Sequence, residues 1–469
     1  MAHPPSFAGK APFALWALAL VLAAGALASL WLNWPGELSP DSVWQLQQGR
    51  AGLYNAWHPP VMAWMLGLFD RLAPGAPGFI VLDAALGYGG LMAIGALSPR
   101  PRPLAALLAA LLAAGLCASP LLLIYQGDVW KDVLFADASL AGFAALAWCA
   151  RAWDRPARRI GLAVLAFALF ALAALSRQNG LITPVWGAGA LAILAWRAGA
   201  GRPGRLRVAI GLGLAALALC LAVVAAAGLA LERRSDGDPA QARQLAWLQV
   251  WDLAGAARLD PGFAASLHDE TAQARFVRES AAPAYSPERV DTLLPLPGAD
   301  AAVEDAGAEA AARWFDLIRR RPDLYLRVRF GDFGQLLATP RLMACRPLFI
   351  GLDGPQPMLD ALKLAPRNWG KILAARRYSL AFVGTPVLSH LVYAGLALAL
   401  IALAVRDLAR APAPADRIVL IALLGAALSF AASFLVIGVA CDYRYLYFLD
   451  LAAMAGLLHR AAVGLRRPD

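Results

Sequence analysis

Apolar runs of roughly 20 residues, the length a helix needs to cross a hydrocarbon core, recur along most of this 469-residue chain. The first covers Pro12 to Leu32, and others start near Gly78, Leu104, Val133, Ile160, Leu181, Val208, Leu380, Ile418 and Leu446, about ten in all. A segment inside a bilayer must satisfy its own backbone, so runs of that length read as helices. The expected fold class is an all-α polytopic membrane protein with about ten transmembrane helices. Composition agrees, since 60% hydrophobic and 16% charged residues lie outside the range of an ordinary soluble domain. Pro12 to Leu32 lacks a small-residue cleavage site before Trp31-Leu32-Asn33-Trp34, and reads as a retained helix rather than a signal peptide.

A formal charge of +10 would suit a nucleic-acid partner, but the arginines sit in short loops between the runs. These are Arg100 and Arg102; Arg151, Arg155, Arg158 and Arg159; Arg197, Arg202, Arg205 and Arg207; Arg406, Arg410 and Arg417; and the tail with Arg460, Arg466 and Arg467. The positive-inside rule makes those loops cytoplasmic, together with both termini, and no nucleic-acid partner is expected. Pro59 to Leu72 is too short to cross, at about 14 residues against the roughly 20 required. It reads as a helix lying in the outer interface, with Trp64 at headgroup level. Asp41 to Gly49 reads as a second interfacial helix, with Ser39 and Asp41 as acceptable N-caps.

The chain therefore divides into residues 1–231, a seven-span module with interfacial helices at 41–72; residues 232–378, an extracytoplasmic and mainly helical segment; and residues 379–469, a three-span module. In the middle part, Ala301–Arg321 and Asp323–Leu337 have helical spacing, with Trp314, Phe315, Ile318, Leu324, Tyr325, Val328 and Phe333 as the buried stripe. Cys117, Cys149 and Cys220 lie in apolar runs as packing residues. Cys345 and Cys441 share the outer face, where coincidence is the reading preferred over a bridge.

Five polar clusters come out at span mouths on the side opposite the arginine-rich loops: Ser39-Pro40-Asp41-Ser42, Trp57-His58-Pro59-Pro60, Asp128 to Asp132, Arg177-Gln178-Asn179-Gly180 and Asp442-Tyr443-Arg444-Tyr445. Asp41, held at the membrane surface, is a candidate general base on a hydroxyl; from the residue alone, an N-cap for the helix after it is the preferred reading. His58 stands at a rigid corner made by two prolines, with no His or Cys partner at metal-ligand spacing. Helical spacing puts Asp128 and Asp132 on one face with Lys131 beside them. Lys131 is one of only four lysines, and an ammonium there is a natural partner for a lipid-linked phosphate. Arg177 with Asn179, and Arg444 with Tyr445, place guanidinium groups where the topology rule disfavours them; phosphate grip explains that, and snorkelling to headgroups explains either one singly.

The acidic residue of the first outer loop, the His58-Pro59-Pro60 corner that opens an interfacial helix, and seven spans followed by a large outer segment resemble the type C glycosyltransferases. These are integral membrane enzymes that use sugars carried on polyprenyl phosphate, among them the protein O-mannosyltransferases and the aminoarabinose transferases of lipid A. The resemblance covers about residues 10 to 231 in architecture and a handful of positions in sequence. It implies Asp41 as the catalytic carboxylate of an inverting transfer onto an acceptor hydroxyl. His58, Asp128, Lys131, Asp132, Arg177, Asn179, Arg444 and Tyr445 would bind substrate, with a cation of a later loop on the lipid phosphate. The partners it implies are a polyprenyl-phosphate-linked sugar donor, a lipid or glycan acceptor and the bilayer of a bacterial inner membrane. A divalent metal on Asp41, Asp128 and Asp132 is an open alternative. Many relatives carry an Asp-Glu pair where this chain has Asp41-Ser42, and no sign of a β-trefoil is present.

Asp83, Asp137 and Asp450 lie inside apolar runs, and intramembrane carboxylates call for a functional reason. They carry the rival expectation, a transporter or flippase for a lipid-linked or anionic solute, which internal repeats and broken helices would support. Neither is visible in the sequence. No phosphate-binding glycine loop or dinucleotide fingerprint is present either.

Overall fold

The computed structural model describes residues 12–97, 103–268, 271–304, 308–366, 368–410 and 415–463. Lys10, Arg100, Arg102, Arg466 and Arg467 lie outside the described residues. Helices make up the fold in chain order: α1 (Pro12–Asn33), α2 (Pro40–Ala51), α3 (Pro60–Leu72), α4 (Pro77–Gly95), α5 (Pro103–Ala118), α6 (Pro120–Leu123), α7 (Lys131–Arg151), α8 (Pro156–Ser176), α9 (Ile182–Ala198) and α10 (Arg205–Glu232). Among the described residues the only β pairing is a set of isolated bridges.

Among the described residues, eight helices are long and apolar enough to cross a membrane. The run from Leu104 adds a broken ninth, Leu104–Ala118 and Pro120–Gly127, bent by 67°. Pro120 has no N–H to continue the ladder, and the break falls there. Ile182–Ala198 is the shorter tenth segment. Each expected run thus has a helix, and the all-α polytopic class holds.

The segment expected to form the outer part holds α11 (Ala240–Leu259), α12 (Pro261–Ser266), α13 (Ala272–Phe276), α14 (Ala282–Ala284), α15 (Ala299–Glu304), α16 (Ala308–Arg320), α17 (Pro322–Ala338), α18 (Gln356–Leu362) and α19 (Trp369–Leu380). Of these, α11 to α17 close around their own core of Trp247, Val250, Trp251, Phe276, Leu317, Leu324 and Val328, while α18 packs on α2. Phe315 is exposed and Leu317 buried, a correction to the expected stripe: the buried face of α16 runs through Ala310 and Leu317, two turns apart. The last three helices are α20 (His390–Arg410), α21 (Asp416–Ile437) and α22 (Tyr447–Val463). They pack into the first module, α22 on α4, α5 and α7 and α21 on α7 and α9. The eighth span starts at His390 and not at Leu380, because Gly384 takes φ 78° and Pro386 opens a 3₁₀ turn.

Among the described residues, the arginine-rich segments around Arg151, Arg417 and Arg460 come together at one end. Asp407 accepts from Arg417 at 2.5 Å and Arg460 at 2.7 Å, and Asp416 meets His459 at 3.1 Å and Arg151 at 3.5 Å. At the other end α2 and α3 form the expected pair of short helices. They cross backbone to backbone, since a Cβ on Gly49 would lie 2.3 Å from the Ala63 carbonyl oxygen and one on Gly67 equally close to that of Gly49. Only glycine permits that approach, and it fixes the C-terminal half of α2 against the body of α3.

Candidate functional site

Backbone pairing at this end aligns three separate segments. The linker after α1 runs parallel to the turn before α7, with Glu37 N donating to Gly127 O at 2.8 Å and Val129 N to Glu37 O at 3.0 Å. Tyr54 pairs with the chain leaving α10, its N–H donating to Arg234 O at 2.9 Å. Ser39 sits at the N-cap of α2 without capping it; its hydroxyl instead accepts from Trp130 Nε1 at 2.9 Å and meets Ser42 Oγ at 3.0 Å. Asp41 is therefore a first-turn residue of α2, where the helix dipole favours its charged form.

The side chains form one continuous network. Arg444 donates to Asp41 Oδ2 at 2.7 Å and approaches Asp132 at 3.9 Å and Asp442 at 3.5 Å. Arg177 pairs with Asp132, deep in the network. His58 Nε2 lies 3.7 Å from Asp41 Oδ1, and Lys131 Nζ lies 2.8 Å from His58 Nδ1. The Tyr445 ring lies 5.3 Å from the Arg177 guanidinium and 5.7 Å from that of Arg444, whose other flank is Trp130 at 4.9 Å. Asp41, His58, Lys131, Asp132, Arg177, Arg444 and Tyr445, drawn from every one of the five clusters, therefore gather at one place. The network opens to solvent at Asp41, whose side chain is 38% exposed against 13% for Arg444 and 2% for Asp132.

Two residues stand apart. Asn179 donates to Ser433 Oγ at 2.8 Å and ties the α8–α9 turn to α21. Asp128 is fully buried in the turn before α7, bridged through its backbone to Glu37; the helix begins only at Lys131, so Asp128 and Asp132 do not share a helical face.

Electrostatics follow the geometry. Burial disfavours the Asp41 carboxylate, but Arg444 and His58 outweigh it and hold the group well below the ordinary carboxylate value. His58 is pushed down to about 4 by burial and by the Lys131 ammonium, against the pull of Asp41. A neutral His58 that accepts from the Lys131 ammonium at Nδ1 carries its proton on Nε2, facing Asp41. Asp41 and Asp132 both face Arg444, which stands where a metal bridging them would sit. A divalent ion on Asp41, Asp128 and Asp132 does not fit, and among the described residues no group of three His, Cys, Asp or Glu side chains could hold a metal.

Two contributors escaped the sequence. Cys345 and Cys441 form a disulfide across 96 residues, correcting the reading of coincidence. It staples the outer segment to the strand of chain just before Arg444. Asp442, bracketed by Arg444 and Arg289, holds that same loop. The intramembrane carboxylates lie deeper: Asp450 is buried against His390 Nδ1 at 2.9 Å, and Asp83 and Asp137 are buried in the bundle.

No protein-family model matches the sequence, and neither does any curated protein. Among solved structures the chain is similar to the oligosaccharyltransferase of Archaeoglobus fulgidus in the apo form, with TM-score 0.43 and 14% identity over 95% of this chain and 50% of that one. The archaeal oligosaccharyltransferase AglB in complex with an inhibitory peptide and a dolichol-phosphate gives TM-score 0.40 and 15% identity over 95% and 50%. The Archaeoglobus enzyme in complex with Zn and sulfate gives 0.40 and 16% over 93% and 48%. The chain spans about half the length of these structures, and likeness at that level says nothing of substrate or chemistry.

Proposed function

We propose that this protein is a multi-pass membrane glycosyltransferase that moves a sugar from a polyprenyl-phosphate donor to an acceptor hydroxyl on the extracytoplasmic face. The type C relatives expected are those that modify cell-envelope lipid or glycan in a bacterial inner membrane. The observation that carries the reading is the gathering of Asp41, His58, Lys131, Asp132, Arg177 and Arg444 at the end of the bundle opposite the arginine-rich loops. The Cys345–Cys441 disulfide supports the same side, because such bonds persist in oxidising compartments.

The charges suggest the sequence of events. Arg177 and Arg444 each already face a carboxylate, while Lys131 faces a neutral imidazole, so the ammonium is the first partner for an arriving phosphate. Once the phosphate also engages Arg444, the cation that holds Asp41 ionised and weakly basic is shared, and Asp41 becomes a better base. Asp41 then takes the proton of the acceptor hydroxyl. The acceptor oxygen bonds to the anomeric carbon as the bond from that carbon to the phosphate oxygen breaks, with inversion. The electron pair leaves on the polyprenyl phosphate, where Lys131 and Arg444 stabilise it.

The test is Asp41→Asn in reconstituted protein. Sugar transfer should fall to background while membrane insertion and the disulfide survive; full transfer activity in that variant would contradict the assignment. The bent α5–α6 span favours a second reading, transport, since broken spans mark many transporter sites. Under it, Asp83→Asn would abolish activity and Asp41→Asn would not.

A further inference from the structure

Below the charged network lies a polar cluster that the proposed transfer does not use. Asp83 on α4, Asp137 on α7 and Gln126 at the end of the broken span are all fully buried. Gly87 lies one turn from Asp83 on the same face of α4. A Cβ there would lie 2.7 Å from Asp137 Oδ1 and 2.8 Å from both amide atoms of Gln126, so glycine is what lets these groups meet the helix. Gln126 Nε2 donates to Asp137 Oδ1 at 3.0 Å and to the Tyr447 hydroxyl at 3.1 Å, and that hydroxyl donates onward to Leu121 O at 2.9 Å.

These bonds use up the donors. What remains is a set of acceptors, both Asp83 oxygens, Asp137 Oδ2, Gln126 Oε1 and, beside Gly127, Asn33 Oδ1, none with a hydrogen-bond partner. Among the described residues no ion pair joins either carboxylate. Two carboxyl groups and neutral amide oxygens, with neither sulfur nor imidazole, make a hard oxygen set of low charge. The cluster lies on the second arm of the broken span, tied to it through the Tyr447 hydroxyl on Leu121 O.

We propose that Asp83, Asp137 and Gln126 form a site for one sodium ion inside the bundle. The ion lies apart from the Asp41 network, so the site stands or falls independently of the transfer reaction. It balances one carboxylate charge, the second carboxyl keeping its proton, and joins α4, α7 and the broken span.

The test is the thermal unfolding of the full chain in nanodiscs, in sodium, potassium or choline chloride at constant ionic strength. Sodium should raise the midpoint in a saturable way, by several degrees over choline, with potassium at least tenfold weaker. In Asp83→Asn and Asp137→Asn the sodium response should weaken at least tenfold, while the midpoint in choline stays at or above that of the parent, which shows that the variants fold. A parent midpoint equal in sodium and choline would overturn the proposal and leave the two carboxyls sharing a proton. A full sodium response in Asp83→Asn would overturn it as well.

Discussion

Two arginine–aspartate pairs, each close enough to be a strong ion pair, behave in opposite ways. Asp41 meets Arg444 at 2.7 Å at the mouth of the site, and Asp252 meets Arg329 at 2.5 Å in the core of the outer segment. Asp41 is held well below the ordinary carboxylate value, whereas burial pushes Asp252 up to about 6 despite its arginine. Burial acts on both carboxylates, but Arg444 and His58 together outweigh it at Asp41, whereas Arg329 and Trp314 do not at Asp252. Asp41 stands partly exposed at a helix start with His58 as a second neighbour. Asp252 and Arg329 have side-chain exposures of 0% and 1%, with Trp314 Nε1 on the carboxylate at 2.7 Å and the Gly438 carbonyl accepting from the guanidinium at 2.8 Å. A pair closed off by protein is a structural bolt, here between the outer segment and the end of α21. A pair open to solvent can exchange partners with a ligand. An ion pair by itself does not mark a site; what distinguishes the mouth is an accessible carboxylate with a lysine hydrogen-bonded to a neutral imidazole.

That contrast can be broken in several ways. The largest effects should be mirror images: Asp41→Asn removes transfer with little change in unfolding midpoint, and Arg329→Met leaves a buried charge unpaired and costs about 3–5 kcal/mol of stability. Unfolding scans set beside transfer assays would contradict the distinction if both variants lost activity and stability in proportion. Lys131→Met should come next, raising the KM for donor about 10- to 100-fold, as expected for loss of one charge-assisted hydrogen bond, with a smaller effect on kcat. An unchanged donor KM would remove Lys131 from the phosphate site.

The smallest effect is a pair of opposed pH slopes. The folded chain releases the His58 proton down to about 4 against 6.5 for a free histidine, so stability falls as pH drops through that window. Asp252 keeps its proton up to about 6 against 3.8, so its contribution falls as pH rises from 3.8 to 6 and is flat above. Midpoints recorded from pH 4 to 7 should lose the first slope in His58→Gln and the second in Asp252→Asn. Parallel curves for the two variants would show that neither group is shifted as described.

Much of the fold was legible because hydrophobic length is a strong signal: each expected run has its helix, and α2 and α3 lie where their short apolar stretches put them. The gathering of residues at the mouth was legible too, since charge near hydrocarbon is costly and Lys131, Arg177 and Arg444 break the arginine topology rule. What stayed hidden depends on contacts distant in sequence. The Cys345–Cys441 bridge closes a 96-residue separation with no local trace. Asp442 sat in a quoted cluster, but beside Arg444 it reads as merely neutralising, and its second partner Arg289 lies 153 residues away. Asp128 was misplaced because helical spacing was extended across the turn that ends at Trp130. The break at Ser119-Pro120 was within reach, since a proline in an apolar run is a local signal.

The most direct measurement is a cryo-electron microscopy structure of the protein in nanodiscs with undecaprenyl phosphate bound. The phosphate should lie within hydrogen-bond distance of Lys131 and Arg444, with Asp41 released from the Arg444 guanidinium and facing open solvent. A lipid phosphate bound elsewhere while the Asp41–Arg444 pair stays intact would contradict the account.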